Sequence, residues 1–248
     1  LNLTSEGQHG IVGSGFVIPD GVRDAIAGRL VRLSDACHRA LTTASIIGRE
    51  FGLDQLEQID PNDTAELLLE SMEEALNARI IEEIPQSVGR FQFSHVMVQE
   101  TLAGALSATR RSRLHSEIGE ALELLYADDL TSHASELADH FSRAGPGIAD
   151  EKLTAYSLMA GERALAGYAW EDAVSHFERG LVARGIGLSG TDVATDEEAA
   201  ALLFGLARAK STTGVVQQVT EAFGALSRAF EYYAEVGNVA LAVATAEF

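Results

Sequence analysis

The sequence predicts a mainly α-helical protein that contains one short β-hairpin. The chain of 248 residues has only four prolines and 6% aromatic residues, and it is rich in Ala, Leu and Glu, which lose little entropy in a helix. Apolar residues recur at a period of about 3.6 along most of the chain and change to a period of 2 near residue 80. The 46% hydrophobic content is ordinary for a packed globular protein of one or two domains.

The N-terminal residues predict an extended segment followed by a helix. Residues 1–21 contain the short apolar run Phe16–Ile18 and the turn signature Pro19-Asp20-Gly21, so we expect an extended segment or the end of an upstream domain. From Val22 to Leu33 apolar residues recur at helical spacing, and charged residues occupy the other positions. This pattern predicts one amphipathic helix.

Three more helices are expected before the period changes, over residues 34–48, 53–59 and 64–80. Ser34 is the candidate N-cap of the first of these helices, and Gly48 ends it. The second is short and stops before Pro61. Asp63 or Thr64 caps the third, which is the longest of the three.

Two short runs with a period of 2 then predict a β-hairpin. Ile80–Ile84 and Phe91–Phe93 contain β-branched or aromatic residues, and Pro85–Gly89 between them forms a Pro/Ser/Gly turn. Ser94 is the candidate N-cap of the helix that follows. Three helices followed by a hairpin is the order of a winged helix, so we assign residues 22–108 to a winged-helix module.

The chain beyond residue 108 is predicted to be entirely helical. A last helix opens near Asn238, and the others cover about 110–126, 131–144, 150–167, 170–184, 196–212 and 217–236. Successive helices joined by short turns favour antiparallel pairs stacked as a solenoid, which we assign to residues 109–248. Because the chain starts without Met and stops within a helical pattern, we expect it to be a piece of a longer protein.

Composition and charge exclude several classes of function. The net charge of -19, from 37 acidic and 18 basic residues, would repel a phosphate backbone, so we expect no nucleic-acid binding. No stretch approaches about 18 consecutive apolar residues, and no basic segment precedes an apolar one at the N-terminus, which favours a cytoplasmic protein without a membrane span. The single cysteine, Cys37, cannot form an internal disulfide and is expected to be a buried thiol.

Small residues and one aromatic residue follow the pattern of a tetratricopeptide repeat between residues 160 and 180. They are Ala160, Gly161, Ala164, Ala173, Phe177 and Gly180. In such repeats small side chains let the two helices of a pair approach closely, and the aromatic residue fills the gap between them. A second copy through Leu206-Ala207, Ala222, Leu226 and Ala229 has a turn about three residues too long, so the number of repeats stays open.

A larger resemblance extends from about Phe16 to Tyr233 and is carried by several phrases that occur in order. They are Ile18-Pro19-Asp20-Gly21-Val22-Arg23, Arg29-Leu30-x-Arg32-Leu33-Ser34, Ala44-x-x-Ile47-Gly48-Arg49-Glu50-Phe51, Phe91-x-Phe93-Ser94-His95 and Gln99-Glu100-Thr101-Leu102. Together these phrases resemble the region that follows the ATPase core in bacterial STAND-type signalling ATPases, which are often fused to adenylate cyclase or LuxR-type domains.

The resemblance implies an upstream P-loop domain that binds ATP or ADP, a winged helix that packs on it, and a helical-repeat sensor for an unknown protein or peptide. A P-loop needs the pattern Gly-x-x-x-x-Gly-Lys-Ser/Thr, whose backbone N–H groups surround the phosphates. The only Lys-Ser pair, Lys210-Ser211, follows Ala209 and has Phe204 in place of the first glycine. We therefore expect no catalytic residue and no cofactor in this chain, with ATP or ADP bound elsewhere in the parent protein.

His95 is the candidate for a nucleotide contact. In related STAND ATPases a histidine at the start of the helix after the winged-helix hairpin reaches the phosphates of bound ADP, and Phe93-Ser94-His95 occupies the matching place. A histidine at the positive end of a helix suits an anion contact. Many members continue with His-Asp, whereas this chain has Val96. The alternative is a histidine packed between the hairpin and the helix.

Two further polar clusters have chemical interpretations. One is the basic cluster Arg110, Arg111 and Arg113, which would suit a phosphate or an acidic partner, or would pair with neighbouring Glu residues at a domain surface. The other is the set His133, Glu136 and His140, which could ligate a metal. A zinc site needs three or four converging ligands, and this loose spacing is a weak signal, so we expect no metal.

The function expected is therefore a non-catalytic regulatory and protein-interaction portion of a larger signalling ATPase. The alternative is a stand-alone helical scaffold that binds a peptide or protein. A DNA-binding winged-helix regulator is disfavoured, because the helix from Asp63 to Ala78 carries four glutamates and would be repelled by DNA. An enzyme would need a convergent polar cluster, and the sequence has no nucleophile motif such as Gly-x-Ser-x-Gly.

Overall fold

The computed structural model describes residues 28–60, 63–212 and 216–248. Within these residues the protein is mainly α-helical and has one small antiparallel sheet of three strands. The predicted extended segment over residues 1–21 lies outside the described residues, and so does most of the helix predicted after Val22. The described part of that helix, residues 28–30, is helical.

The remaining elements follow in chain order. They are α1 (Asp35–Ile47), β1 (Glu50–Gly52), α2 (Leu53–Ile59), α3 (Ala65–Asn77), β2 (Ile81–Glu83), β3 (Arg90–Phe93), α4 (Val96–Gly104), α5 (Ala108–Leu125), α6 (Leu130–Arg143), α7 (Asp150–Ala166), α8 (Trp170–Ala183), α9 (Glu197–Ser211), α10 (Val216–Glu235) and α11 (Val239–Glu247). The predicted bounds of the helices after residue 108 agree with these to within about two residues.

Side-chain caps explain where several helices begin. The hydroxyl of Ser34 accepts a hydrogen bond from the backbone N–H of Cys37, and that of Thr64 accepts one from Leu67, so both predicted caps are confirmed. The predicted cap at Ser94 is wrong. Its hydroxyl lies 3.0 Å from the carbonyl oxygens of Arg79 and Ile80, and the neighbouring His95 caps α4 instead.

The sheet contains the predicted hairpin and one strand that the sequence did not predict. The strand order is β1-β3-β2, so β3 pairs with β2 in the hairpin and with β1 on its other edge. Phe51 of β1 lies opposite Phe91, and its ring centroid is 5.4 Å from that of Phe93. These three rings lie in one core with apolar residues of α1, α3 and α4.

Helices α5 to α11 pack one after another along the chain. Residues 167–169 connect α7 to α8, and residues 236–238 connect α10 to α11. Three residues span at most about 10 Å, whereas a helix of 14 residues is about 21 Å long; since the joined helices also pack side by side, the chain must turn back at each of these connections. The helices joined in this way run antiparallel.

Glycines on neighbouring helices face the ring of a phenylalanine at two places in this stack. A Cβ atom on Gly119 of α5 would lie 2.8 Å from the ring of Phe141 in α6. A Cβ atom on Gly161 of α7 would lie 2.5 Å from the ring of Phe177 in α8, and one on Gly205 of α9 would lie 2.4 Å from the same ring. Both pairs of helices therefore approach each other through a glycine in the first helix and a phenylalanine in the second.

The part of the chain before residue 108 packs against the helices that follow it. Ile46, near the end of α1, lies in one apolar core with Ile118 of α5, Phe141 of α6 and Tyr156 of α7. A separate apolar core joins α8 to α10 around Phe177. The position of α1 is therefore fixed relative to the first stacked helices.

Candidate functional site

His95 lies at the N-terminus of α4, where its side chain closes the first turn. Its Nδ1 atom accepts a hydrogen bond from the backbone N–H of Met97 at 3.1 Å, and the residue is exposed. An imidazole that accepts at Nδ1 carries its proton on Nε2 when it is neutral. His95 therefore has one donor left, at the positive end of a helix. The alternative was a histidine packed between the hairpin and the helix; the imidazole caps the helix and is exposed.

A cavity of about 730 Å³ lies beside this helix, between the end of α1, α4, α5 and α6. We call it the junction cavity. Val96, which follows His95, contributes to its wall, as do Ile46 and Ile47. Its charged and imidazole side chains are Glu100, Arg111, His115, Glu136, Asp139, His140 and Arg143.

Two buried histidines face each other in the wall of the junction cavity. The Nδ1 atoms of His115 on α5 and His140 on α6 are 3.1 Å apart, and each residue is only 4% exposed. The pKa of each histidine is lowered to about 4. Burial is the main cause, and the positive charge of the Arg143 guanidinium contributes to both shifts. The pair is therefore neutral at pH 7, with one ring donating its Nδ1 proton to the other.

Two of the three carboxylates of the cavity have cationic or polar partners. Asp139 accepts a hydrogen bond from Arg179 on α8 at 2.6 Å, and Arg143 lies 3.9 Å away. Glu136 is 3.4 Å from the Nδ1 atom of His133. By contrast, within the described part of the chain the guanidinium of Arg111 makes a single long hydrogen bond of 3.5 Å, to a backbone carbonyl.

The basic cluster noted in the sequence is divided between two cavities. Arg111 lines the junction cavity, whereas Arg110 and Arg113 line a second cleft of about 790 Å³, together with Arg39 of α1. Arg113 pairs with Glu117 at 2.8 Å, which confirms the predicted pairing for this residue. Consecutive helical residues are about 100° apart around the helix axis, so Arg110 and Arg111 point in different directions.

The three residues considered as metal ligands do not converge. His133 stacks on Tyr126 with ring centroids 3.4 Å apart and also contacts Glu136, while His140 faces His115. Among the residues that the structure describes, no group of three or more His, Cys, Asp or Glu side chains is arranged to hold a metal ion.

Cys37 and Lys210, which the sequence analysis singled out, both have structural roles. The thiol of Cys37 is buried and lies 3.2 Å from the carbonyl oxygen of Ser71, and burial raises its pKa to about 12, so the buried-thiol prediction is confirmed. Lys210 lies in α9, where its ammonium group contacts Glu178 and Glu221 at 2.8 and 2.7 Å. A lysine held between two glutamates is not placed as a P-loop lysine would be.

Sequence reasoning missed His115 and His176. His115 precedes the buried apolar residues Ile118 and Leu122 of α5 at helical spacing, and this spacing could have placed it on the buried face. Its partner at position 140 lies 25 residues away, so no local pattern connects the two. His176 on α8 is buried beside the Ser135 hydroxyl, 3.2 Å from its Nε2 atom.

Comparison with known proteins gives no relative. No protein-family model, curated protein or solved structure matches the chain. Of the described helices, none is both long and apolar enough to cross a membrane.

Proposed function

We propose that this chain is a non-catalytic regulatory and protein-interaction module of a larger STAND-type signalling ATPase. Residues 22–108 form a winged helix that packs on an upstream P-loop domain holding ATP or ADP. Residues 109–248 form tetratricopeptide-like helix pairs that receive a protein or peptide signal. The observation that carries this proposal is the order of elements in one chain, in which helices and a hairpin are followed by a run of helices that pack one after another.

The order of elements before residue 108 supports the winged-helix assignment. Helices α1 to α3 precede the β2–β3 hairpin, and the short strand β1 joins the free edge of that hairpin. The helix before the hairpin is α3, and three of its glutamates, Glu66, Glu70 and Glu73, are exposed. An acidic helix surface favours contact with protein over contact with DNA.

The glycine and phenylalanine contacts support the helix-pair assignment. Gly119 with Phe141 and Gly161 with Phe177 repeat the same relation in successive pairs, with the small residue in the first helix and the ring in the second. This is the packing that a tetratricopeptide repeat uses. Stacked helical repeats present long surfaces that suit peptide or protein partners.

The position of His95 supports a contact with an anion on a neighbouring domain. Its Nδ1 atom is occupied by the helix cap, so a phosphate oxygen would accept from Nε2. The cap and the phosphate contact are therefore made by different atoms of one side chain. Substitutions can separate the two roles.

The experiment measures ADP binding by calorimetry in the longer product of the same gene that includes the upstream sequence. His95→Asp keeps a good N-cap but places a carboxylate beside the phosphate, while His95→Ala removes both the cap and the contact. We expect both variants to bind ADP about tenfold or more weakly, which is the usual effect of losing one hydrogen bond to a charged group.

His38→Ala is the matched control, because His38 is an exposed histidine on α1 that contacts Thr42. It should bind ADP as the unmodified protein does. Unchanged ADP affinity in His95→Asp would contradict the role of His95. A gene product that begins near residue 1 would instead favour the stand-alone scaffold.

A further inference from the structure

The junction cavity has the size and the walls of a ligand site. Its volume of about 730 Å³ falls within the range of small-molecule pockets, about 300 to 1,000 Å³. Four helices contribute to it, from both the part of the chain before residue 108 and the part after it. A molecule bound there would contact both parts at once.

The histidine pair leaves two ring nitrogens without a protein partner. One Nδ1–H group donates to the Nδ1 atom of the other ring. The donating ring therefore has an unprotonated Nε2 atom, which is an acceptor, and the accepting ring has an Nε2–H group, which is a donor. Within the described residues, neither Nε2 atom has a hydrogen-bond partner, and neither is among the fully buried unpaired atoms, so both are open to the cavity although the residues as a whole are 96% buried. A donor and an acceptor that reach the cavity without a protein partner are available to a ligand.

The charges nearest to the histidine pair favour an anion. Arg111 and Arg143 both act on His115, and both are cationic. The one acidic group that acts on the pair, Asp139, forms an ion pair with Arg179. Glu136 and the exposed Glu100 also line the cavity, but neither is among the charges that shift the pKa of the pair.

We propose that the junction cavity binds a small anionic ligand, a carboxylate or phosphate compound, whose negative group lies beside His115, His140 and Arg111. The Nε2–H group donates to the anion, and the guanidinium of Arg111 supplies charge and further donors. The proposal does not depend on the ATPase assignment, because this chain alone contains all of the residues involved.

Protonation of the pair follows from its geometry. The ring that donates through Nδ1 can take a second proton on Nε2 without losing the bond between the rings, and an adjacent anion stabilises the resulting charge. A proton on the other ring would set two N–H groups against each other at 3.1 Å. Because the pKa of the free pair is about 4, the pair takes up a proton on anion binding only below about pH 6, and the affinity increases as the pH falls from about 6 to about 4.

The experiment titrates the unmodified chain with inorganic phosphate and, separately, with succinate, while NMR follows the ring C–H signals of the histidines. Potassium chloride at equal ionic strength is the blank for a general salt effect. We expect the His115 and His140 signals to shift and saturate with a Kd of about 1 mM, as is reasonable for so small a ligand. Binding should raise the pKa of the pair by about one unit.

Arg111→Gln and Arg110→Gln form a matched pair of variants, since each removes one charge from adjacent exposed positions on α5 and only Arg111 lines the junction cavity. We expect Arg111→Gln to weaken binding about tenfold and Arg110→Gln to leave it unchanged.

A response to one probe alone supports the site and assigns its anionic group as phosphate or carboxylate. The proposal is overturned if neither probe shifts the two signals at about 50 mM, or if both variants weaken binding equally.

Discussion

The ring of Phe177 sets the spacing of three helices, and the glycines that face it allow this packing to be tested. A Cβ atom on Gly161 would lie 2.5 Å from the ring, which is well inside contact distance. Alanine in a helix gains about 1 kcal/mol over glycine from backbone propensity. Overlap with a buried ring costs about 1 to 3 kcal/mol. We therefore expect Gly161→Ala to lower the free energy of unfolding by about 1 kcal/mol.

A smaller residue at position 177 should turn the destabilising effect of Gly161→Ala into a stabilising one. In a Phe177→Leu background the ring is absent, so Gly161→Ala should retain its propensity gain and raise the free energy of unfolding by up to about 1 kcal/mol. Gly224→Ala is the matched control, because nothing lies within 4 Å of a Cβ atom built there, and it should stabilise by about 1 kcal/mol. Urea unfolding followed by circular dichroism measures all of these variants. If Gly161→Ala has the same effect with and without the Phe177 ring, the packing argument is refuted.

Three further predictions concern titration, reactivity and capping. The pKa of His115 and His140 is about 4 in the folded protein and about 6.5 in the unfolded chain. Between these two pH values the folded state binds fewer protons, so the stability that is present above pH 6.5 is lost as the pH falls toward 4. Counting one proton, urea unfolding should show a loss of about 2 kcal/mol between pH 7 and pH 5, and His115→Gln should show a smaller one. The thiol of Cys37, with its pKa raised to about 12, should react with Ellman's reagent only after unfolding; fast reaction at about pH 8 would contradict its burial. His95→Ala should lose about 1 kcal/mol of stability in thermal unfolding of this chain, whereas His95→Asp should lose little; equal losses would exclude the cap.

The helices after residue 108 were predictable because each is long and its apolar period is regular. Strand β1 was not predictable in the same way. Glu50–Gly52 is too short to show a period, and its hydrogen-bond partners on β3 follow about 40 residues later in the chain. The predicted cap of α4 was Ser94, one residue before the actual cap, His95, because serine is a more common N-cap residue than histidine. Its hydroxyl is instead bonded to carbonyl groups that precede β2.

The site was less predictable than the fold because it depends on contacts between distant residues. His95 was proposed from the family resemblance, and the structure adds that its Nδ1 atom is used by the helix. His140 was noticed for its spacing from His133, although its partner is His115 on another helix. Arg110 and Arg111 looked like one cluster because they are adjacent, yet they line different cavities.

The measurement that tests the regulatory assignment most directly is the nucleotide content of two purified proteins, this chain alone and the longer gene product that includes the upstream sequence. Each is denatured, and the released nucleotide is separated by chromatography and compared with the amount of protein. The account predicts nearly one ADP or ATP per molecule of the longer protein and none with this chain. Nucleotide bound in equal amount to this chain alone would contradict it, because a nucleotide site would then lie within the helices assigned to regulation.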